Sequence, residues 1–196
     1  MTAHVLPPAP PVERPRVLLV GTAFAAAASF MVFLGALGVY LLARSTIIEG
    51  GSTWLPQGVT IPLQQPNTIF MTLLLSVVSI QWAVNAISRN DRPHAFLALG
   101  LTLLLGAASI VMTTYLWSLM KLNVSGGLQG VLIYSITVGH VIMLGIAMVF
   151  VALMSLRALG GQFDSRQHDG VSAAALYWHT MVFVYALIWL IIYVTK

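Results

Sequence analysis

The composition of this 196-residue chain is that of a membrane protein. Hydrophobic residues make up 59% of the sequence and charged residues only 7%, and the mean hydropathy is +0.92, whereas a soluble domain has about 25% charged residues. The formal net charge of +4 is too small and too dispersed to indicate a nucleic-acid partner. The sequence contains no cysteine, which excludes disulfides, thiolate metal sites, iron–sulfur clusters and thiol catalysis in this chain.

The N-terminal tail, residues 1–16, is predicted to be extended or disordered and to lie in the cytoplasm. It contains five prolines, which favour an extended chain over a helix. The apolar run that begins at Val17 is too long for the core of a secretory signal peptide. The rest of the chain, residues 17–196, is predicted to form one transmembrane domain.

Five long stretches of this domain contain no Lys, Arg, Asp or Glu. They cover approximately residues 17–43, 68–88, 96–120, 128–156 and 171–195. A helix needs about 20 apolar residues to cross the hydrocarbon core of a bilayer, about 30 Å thick. Because no water is available there, each segment must satisfy its backbone hydrogen bonds internally, as a helix does. The sequence therefore predicts an all-α, polytopic membrane protein with five transmembrane helices.

The Lys and Arg residues between these stretches predict an orientation. If the helices alternate in direction, six basic residues lie on one side and three on the other: Arg14, Arg16, Arg89, Arg92, Arg157 and Arg166, against Arg44, Lys121 and Lys196. Basic residues are enriched in cytoplasmic loops. We therefore expect the N-terminus in the cytoplasm and the C-terminus outside.

The predicted spans carry very few groups for acid–base chemistry. All five carboxylates lie in the tail or in loops, and the only ionisable side chains well inside the spans, apart from tyrosines, are His140 and His179. Ion and proton pathways through membranes usually depend on intramembrane ionisable groups. This inventory argues against a pump or an ion-coupled transporter that works alone.

The two histidines raise the alternative of a bis-histidine haem site. His140 lies about 17 residues from the inner end of its span and His179 about 8, an offset of roughly 13 Å at 1.5 Å per residue. Axial ligands of one haem must lie at the same depth. We therefore favour hydrogen-bonded histidines that pack between helices over haem ligands.

A series of short motifs follows the predicted spans and loops: Phe30-Met31-Val32-Phe33-Leu34-Gly35, Tyr40, Ala43-Arg44, Trp54, Pro56, Ser76, Ser79, Arg89-Asn90-Asp91, Gly139-His140-Val141, Tyr177-Trp178-His179, Tyr193 and Lys196. In their order and spacing these motifs resemble those of subunit III of the haem–copper terminal oxidases, the cytochrome c oxidases. The resemblance is to the short five-helix bacterial form of that family and extends from about Phe24 to Lys196.

The chain departs from the family pattern at its intramembrane polar positions. Ser29 replaces a glutamate, Thr113 and Leu116 replace a glutamine and a glutamate, Thr137 replaces a histidine and Val182 replaces an aspartate. The resemblance implies that these carboxylates and other polar side chains assist proton supply or hold lipid head groups in the family. Those roles do not transfer to this chain, and their joint loss suggests a diverged subunit kept for assembly.

The resemblance implies a non-catalytic subunit that supports assembly, stability and lipid binding in an aerobic respiratory terminal oxidase of the bacterial cytoplasmic membrane. Such a complex transfers electrons from cytochrome c to O2 and couples this to proton translocation. Haem and copper are expected in the partner subunits I and II, and bound phospholipid in this chain. A larger respiratory supercomplex is a further expected assembly. The alternatives are an accessory subunit of a nitric oxide reductase, a small permease, and a membrane enzyme acting on lipid.

No catalytic, metal-binding or cofactor-binding residue is predicted in this chain. Arg44, at an outer helix end, is expected either to pair with a lipid phosphate or simply to extend its side chain to the interface. The residues expected to matter for structure or lipid contact are His140, His179, Tyr177, Trp178, Arg44 and Trp54.

Overall fold

A computed structural model describes residues 16–56, 58–124, 126–163 and 168–195. These residues form five long α-helices: α1 (Val17–Glu49), α2 (Gln64–Ser88), α3 (Arg92–Met120), α4 (Leu128–Leu159) and α5 (Asp169–Ile188), and α5 continues into a π-helical turn (Trp189–Val194). All five are long and apolar enough to span a bilayer. The predicted fold class, an all-α polytopic membrane protein with five spans, is confirmed.

Several sequence-based predictions lie outside the described residues. The predicted extended tail falls there except for Arg16, and so do Asp164, Arg166 and Lys196. The helices are also longer than the uncharged stretches that predicted them. Helix α1 runs to Glu49, so that Arg44 is part of the helix, and the connection to α2 covers only Gly50–Leu63. Charged residues can continue a helix beyond the hydrocarbon core, since backbone hydrogen bonding there does not depend on apolar side chains.

The turn between α2 and α3 is built from local signals. Asp91 precedes α3, and its side chain accepts a hydrogen bond from the backbone nitrogen of His94, while Pro93 occupies the first helical turn. The Asp91 carboxylate also lies 2.7 Å from Nδ1 of His94. The hydrogen bond from the His94 side chain holds the pKa of the Asp91 carboxyl below its ordinary value.

Helix α5 occupies the centre of the bundle. It packs against α1, α2 and α4, while the most extensive contact of the fold joins α2 to α3, and α4 lies against α3 and α5. Helix α1 packs mainly against α5 and, to a lesser extent, α4. Because α1 and α2 contact different parts of α5, a groove remains between them on the α5 surface.

Side-chain hydrogen bonds join the helices inside the bundle. Ser79 of α2 and Thr102 of α3 place their hydroxyl oxygens 2.7 Å apart. Further along α3, the Trp117 indole donates to the Thr137 hydroxyl of α4 at 3.1 Å. Such contacts supplement close packing in membrane proteins, because the hydrophobic effect does not favour helix association within lipid.

Candidate functional site

A groove on the bundle surface lies between α1, α2 and α5. It consists of two adjoining cavities of about 580 and 430 Å³ that share Ala23, Leu176 and His179. Alanines line much of it, and the rings of Phe30 and Phe183 meet at its deep end with centroids 5.7 Å apart. The groove is open on one side, and its lining is mostly apolar.

The three consecutive residues Tyr177, Trp178 and His179 point in three directions, because successive helical residues are about 100° apart. The Tyr177 hydroxyl lies 3.3 Å from the Ser29 hydroxyl of α1. The Trp178 indole donates to the Ser76 hydroxyl of α2 at 2.8 Å. The half-buried His179 lines the groove, and its ring lies beside the backbone of Val77 in α2.

Trp178 is the largest fully buried side chain of the protein. Its ring lies against α3, where Gly106 makes room for it: a Cβ atom at position 106 would be only 2.9 Å from Cη2 of Trp178 and 3.1 Å from Sδ of Met148. A larger residue at this position would have to displace the Trp178 ring or the Met148 side chain. The sequence indicates Gly106 only as one of several small residues in its span, because the indole that needs the space lies 72 positions away in the chain.

His140 occupies a different environment from His179. It is 4% exposed, and its Nε2 lies 3.2 Å from the backbone oxygen of Met181. Its ring contacts those of Tyr185 and Phe33, with centroid distances of 5.1 and 6.3 Å. The structure thus gives the two membrane histidines separate partners: His140 packs into the bundle, and His179 contributes to the groove.

Trp54 and Arg44 lie at the other end of α1. The Trp54 indole donates to the Tyr40 hydroxyl at 3.0 Å, and the two rings meet edge to face at 5.2 Å. Both side chains are buried, so this contact fixes the α1–α2 connection to the bundle. Arg44 donates from Nη2 to the backbone oxygen of Thr195. The positive charge of Arg44 complements the negative end of the last helical turn. The sequence-based interpretations, pairing with a lipid phosphate or extension to the interface, did not include this role.

The described residues contain no group of three or more His, Asp or Glu side chains arranged to hold a metal ion. The polar side chains buried between helices are mainly hydroxyls, indoles and one imidazole, and each of those named above has a hydrogen-bonding partner. The groove can therefore form neutral hydrogen bonds and apolar contacts with a bound molecule.

Fold and groove together define a polytopic helical membrane protein with an open, mostly apolar groove. Comparison with known proteins then specifies the family: the family profile described as "Cytochrome c oxidase subunit III" matches residues 16–196. This chain belongs to the cytochrome c oxidase subunit III family, as its motifs predict.

Curated relatives support the same assignment. The chain is similar to "Cytochrome c oxidase subunit 3" of Sus scrofa, with 34% identity over 149 residues, which is 75% of this chain and 56% of the relative. The corresponding proteins of Rattus norvegicus and Homo sapiens are 34% and 33% identical over 147 residues, 74% of this chain and 55% of each relative. The chain therefore spans little more than half the length of the curated relatives it matches.

Proposed function

We propose that this chain is the third subunit of an aerobic respiratory cytochrome c oxidase in a bacterial cytoplasmic membrane, and that it supports assembly and stability rather than chemistry. The electron transfer from cytochrome c to O2, and the haem and copper that carry it, belong to the partner subunits I and II. Membership in a larger respiratory supercomplex is part of the same proposal.

The family match over residues 16–196 is the observation that carries this proposal. The chemistry of the described residues agrees with it. The described carboxylates, Glu49, Asp91 and Asp169, lie at helix ends or caps, and the interhelical contacts of the bundle are apolar or neutral hydrogen bonds. Such an interior stabilises a shape but offers no obvious relay for protons through this chain.

Lipid contact is the second part of the proposal. Only 17% of the most apolar 18-residue stretch of α1 is buried inside the protein. The adjoining groove is lined largely by alanine, leucine and phenylalanine. Bound lipid in the groove would cover this surface and link the subunit to its surroundings. The six against three distribution of basic residues supports a cytoplasmic N-terminus.

Replacing the gene with an affinity-tagged copy, and in parallel deleting it, tests the proposal. We expect the tagged chain to purify with haem-bearing and copper-bearing subunits, and the deletion to reduce the yield and the operating lifetime of the oxidase. An oxidase of unchanged yield, lifetime and turnover in the deletion strain would contradict it. Purification of the chain with no haem-bearing companion would also contradict it.

A further inference from the structure

Two polar side chains of the groove, His179 and Gln81, lie at an unusual depth for a phospholipid head group. An ion pair between Arg16 and Asp169, with an N–O distance of 3.8 Å, lies at the charged ends of α1 and α5 and marks the interface on that side. His179 lies ten residues beyond Asp169, about 15 Å along the helix, and Gln81 lies seven residues before the end of α2, about 10 Å. The interfacial layer of a bilayer is only about 5–7 Å thick on each side, so both side chains reach the hydrocarbon.

These groups prefer a partner that hydrogen-bonds without charge. No lining residue of the groove is an acid, a lysine or an arginine, and charge is costly at this depth. A neutral imidazole has one donor and one acceptor nitrogen. The neutral ring of His179, beside the backbone of Val77, therefore keeps one acceptor nitrogen, which a ligand with a hydroxyl donor can satisfy. The exposed Gln81 side chain supplies both donors and an acceptor beside it.

The length of the groove distinguishes a small ligand from a partner helix. On α1 it extends from Leu19 to Phe30, a rise of about 17 Å over eleven residue steps, which is roughly half of the hydrocarbon thickness. A transmembrane helix of another chain would need a continuous seam about 30 Å long. The Phe30 and Phe183 rings beyond His179 provide faces for a flat aromatic head, and the open side of the groove leaves room for an aliphatic tail.

We propose that the groove binds a lipid-soluble quinol, whose aromatic hydroxyl donates to His179 and accepts from Gln81. This inference rests on the proposed lipid-binding role and specifies the lipid class. It concerns binding only, with no redox step in this chain. A phospholipid, by contrast, would present only its acyl chains to His179, because its ester groups remain at the interface.

The test uses the full-length chain in nanodiscs and a short-tailed hydroquinone, with the dimethyl ether of the same compound as the ligand control. The ether keeps the ring and the tail but cannot donate a hydrogen bond. We expect the hydroquinone to bind about tenfold more tightly than the ether, the scale of one hydrogen bond in a desolvated site. His179→Leu should remove this preference, His179→Asn should retain part of it, and Gln81→Leu should weaken hydroquinone binding several-fold.

Thr114→Val is the matched protein control, because Thr114 is an exposed polar residue of α3 outside the groove, and it should leave both affinities unchanged. Equal binding of hydroquinone and ether, or unchanged binding in His179→Leu, overturns the quinol assignment. So does a wild-type chain that, extracted from its native membrane, retains phospholipid but no quinol or quinone. None of these results alters the oxidase yields that test the assembly role, so the two proposals fail separately.

Discussion

Helices α1 and α5 are both long, apolar segments, but they occupy opposite positions in the fold. In the most apolar 18-residue stretch of α5 and its π-helical continuation, 50% of the residues are buried inside the protein, whereas in the corresponding stretch of α1 only 17% are buried. Helix α5 lies between three other helices, whereas α1 turns a narrow buried stripe, including Ala26, Phe33 and Tyr40, toward the bundle. In lipid, an apolar side chain gains little by moving from the membrane to a helix surface, so apolarity alone does not determine which helix is central.

If α5 is central and α1 peripheral, substitution of Trp178 should lower the free energy of unfolding more than the other changes below. Trp178→Ala would leave a cavity at a position that is 0% exposed and would remove the hydrogen bond to Ser76. We expect a loss of about 3 kcal/mol or more in the free energy of unfolding. The matched change on α1 is Phe24→Ala, at a side chain 74% exposed, where we expect less than about 0.5 kcal/mol. Denaturation of the two variants in mixed micelles measures both values, and similar losses would contradict the central position of α5.

A smaller effect is expected when bulk is added instead of removed. Gly106→Ala places a methyl group against the Trp178 ring and should cost about 1–3 kcal/mol, because a packed interior resists overpacking. Gly35→Ala on α1 has no atom within 4 Å of the added carbon. It should be neutral or slightly stabilising, since alanine favours helix over glycine. Melting temperatures of the two variants in the same detergent give the comparison, and a destabilised Gly35→Ala would indicate a partner on that face of α1.

The smallest of these effects tests the contact that holds the α1–α2 connection against α1. Tyr40→Phe removes the acceptor of the buried Trp54 indole while keeping the ring contact. We expect a loss of about 1 kcal/mol, and faster proteolytic cleavage in the Gly50–Leu63 connection, because an unsatisfied buried donor destabilises the folded connection. Val39→Ala, at the adjacent exposed position, serves as control. Equal cleavage rates in the two variants would show that the Trp54–Tyr40 contact does not hold this segment.

The candidate site was only partly predictable from the sequence. The motif Tyr177-Trp178-His179 marks an important segment, but nothing in it indicates which of the three residues faces the groove. Their partners, Ser29, Ser76 and Val77, lie about 100 or more positions earlier in the chain. Gln81 gives no signal at all, since a single amide on an apolar helix is compatible with many positions.

Composition and motif order in the sequence were sufficient to establish the number of spans, the all-helical class and the family. Each of these depends on local composition or on collinear motifs: a bilayer demands long uncharged helices whatever their neighbours are. The packing of the helices was needed to show that α5 is central, that Arg44 binds the backbone of Thr195 after the last helical turn, and that a groove lies between α1 and α2. The physical reason is that every face of a membrane helix is apolar, so helix arrangement depends on close packing and on a few hydrogen bonds between distant residues.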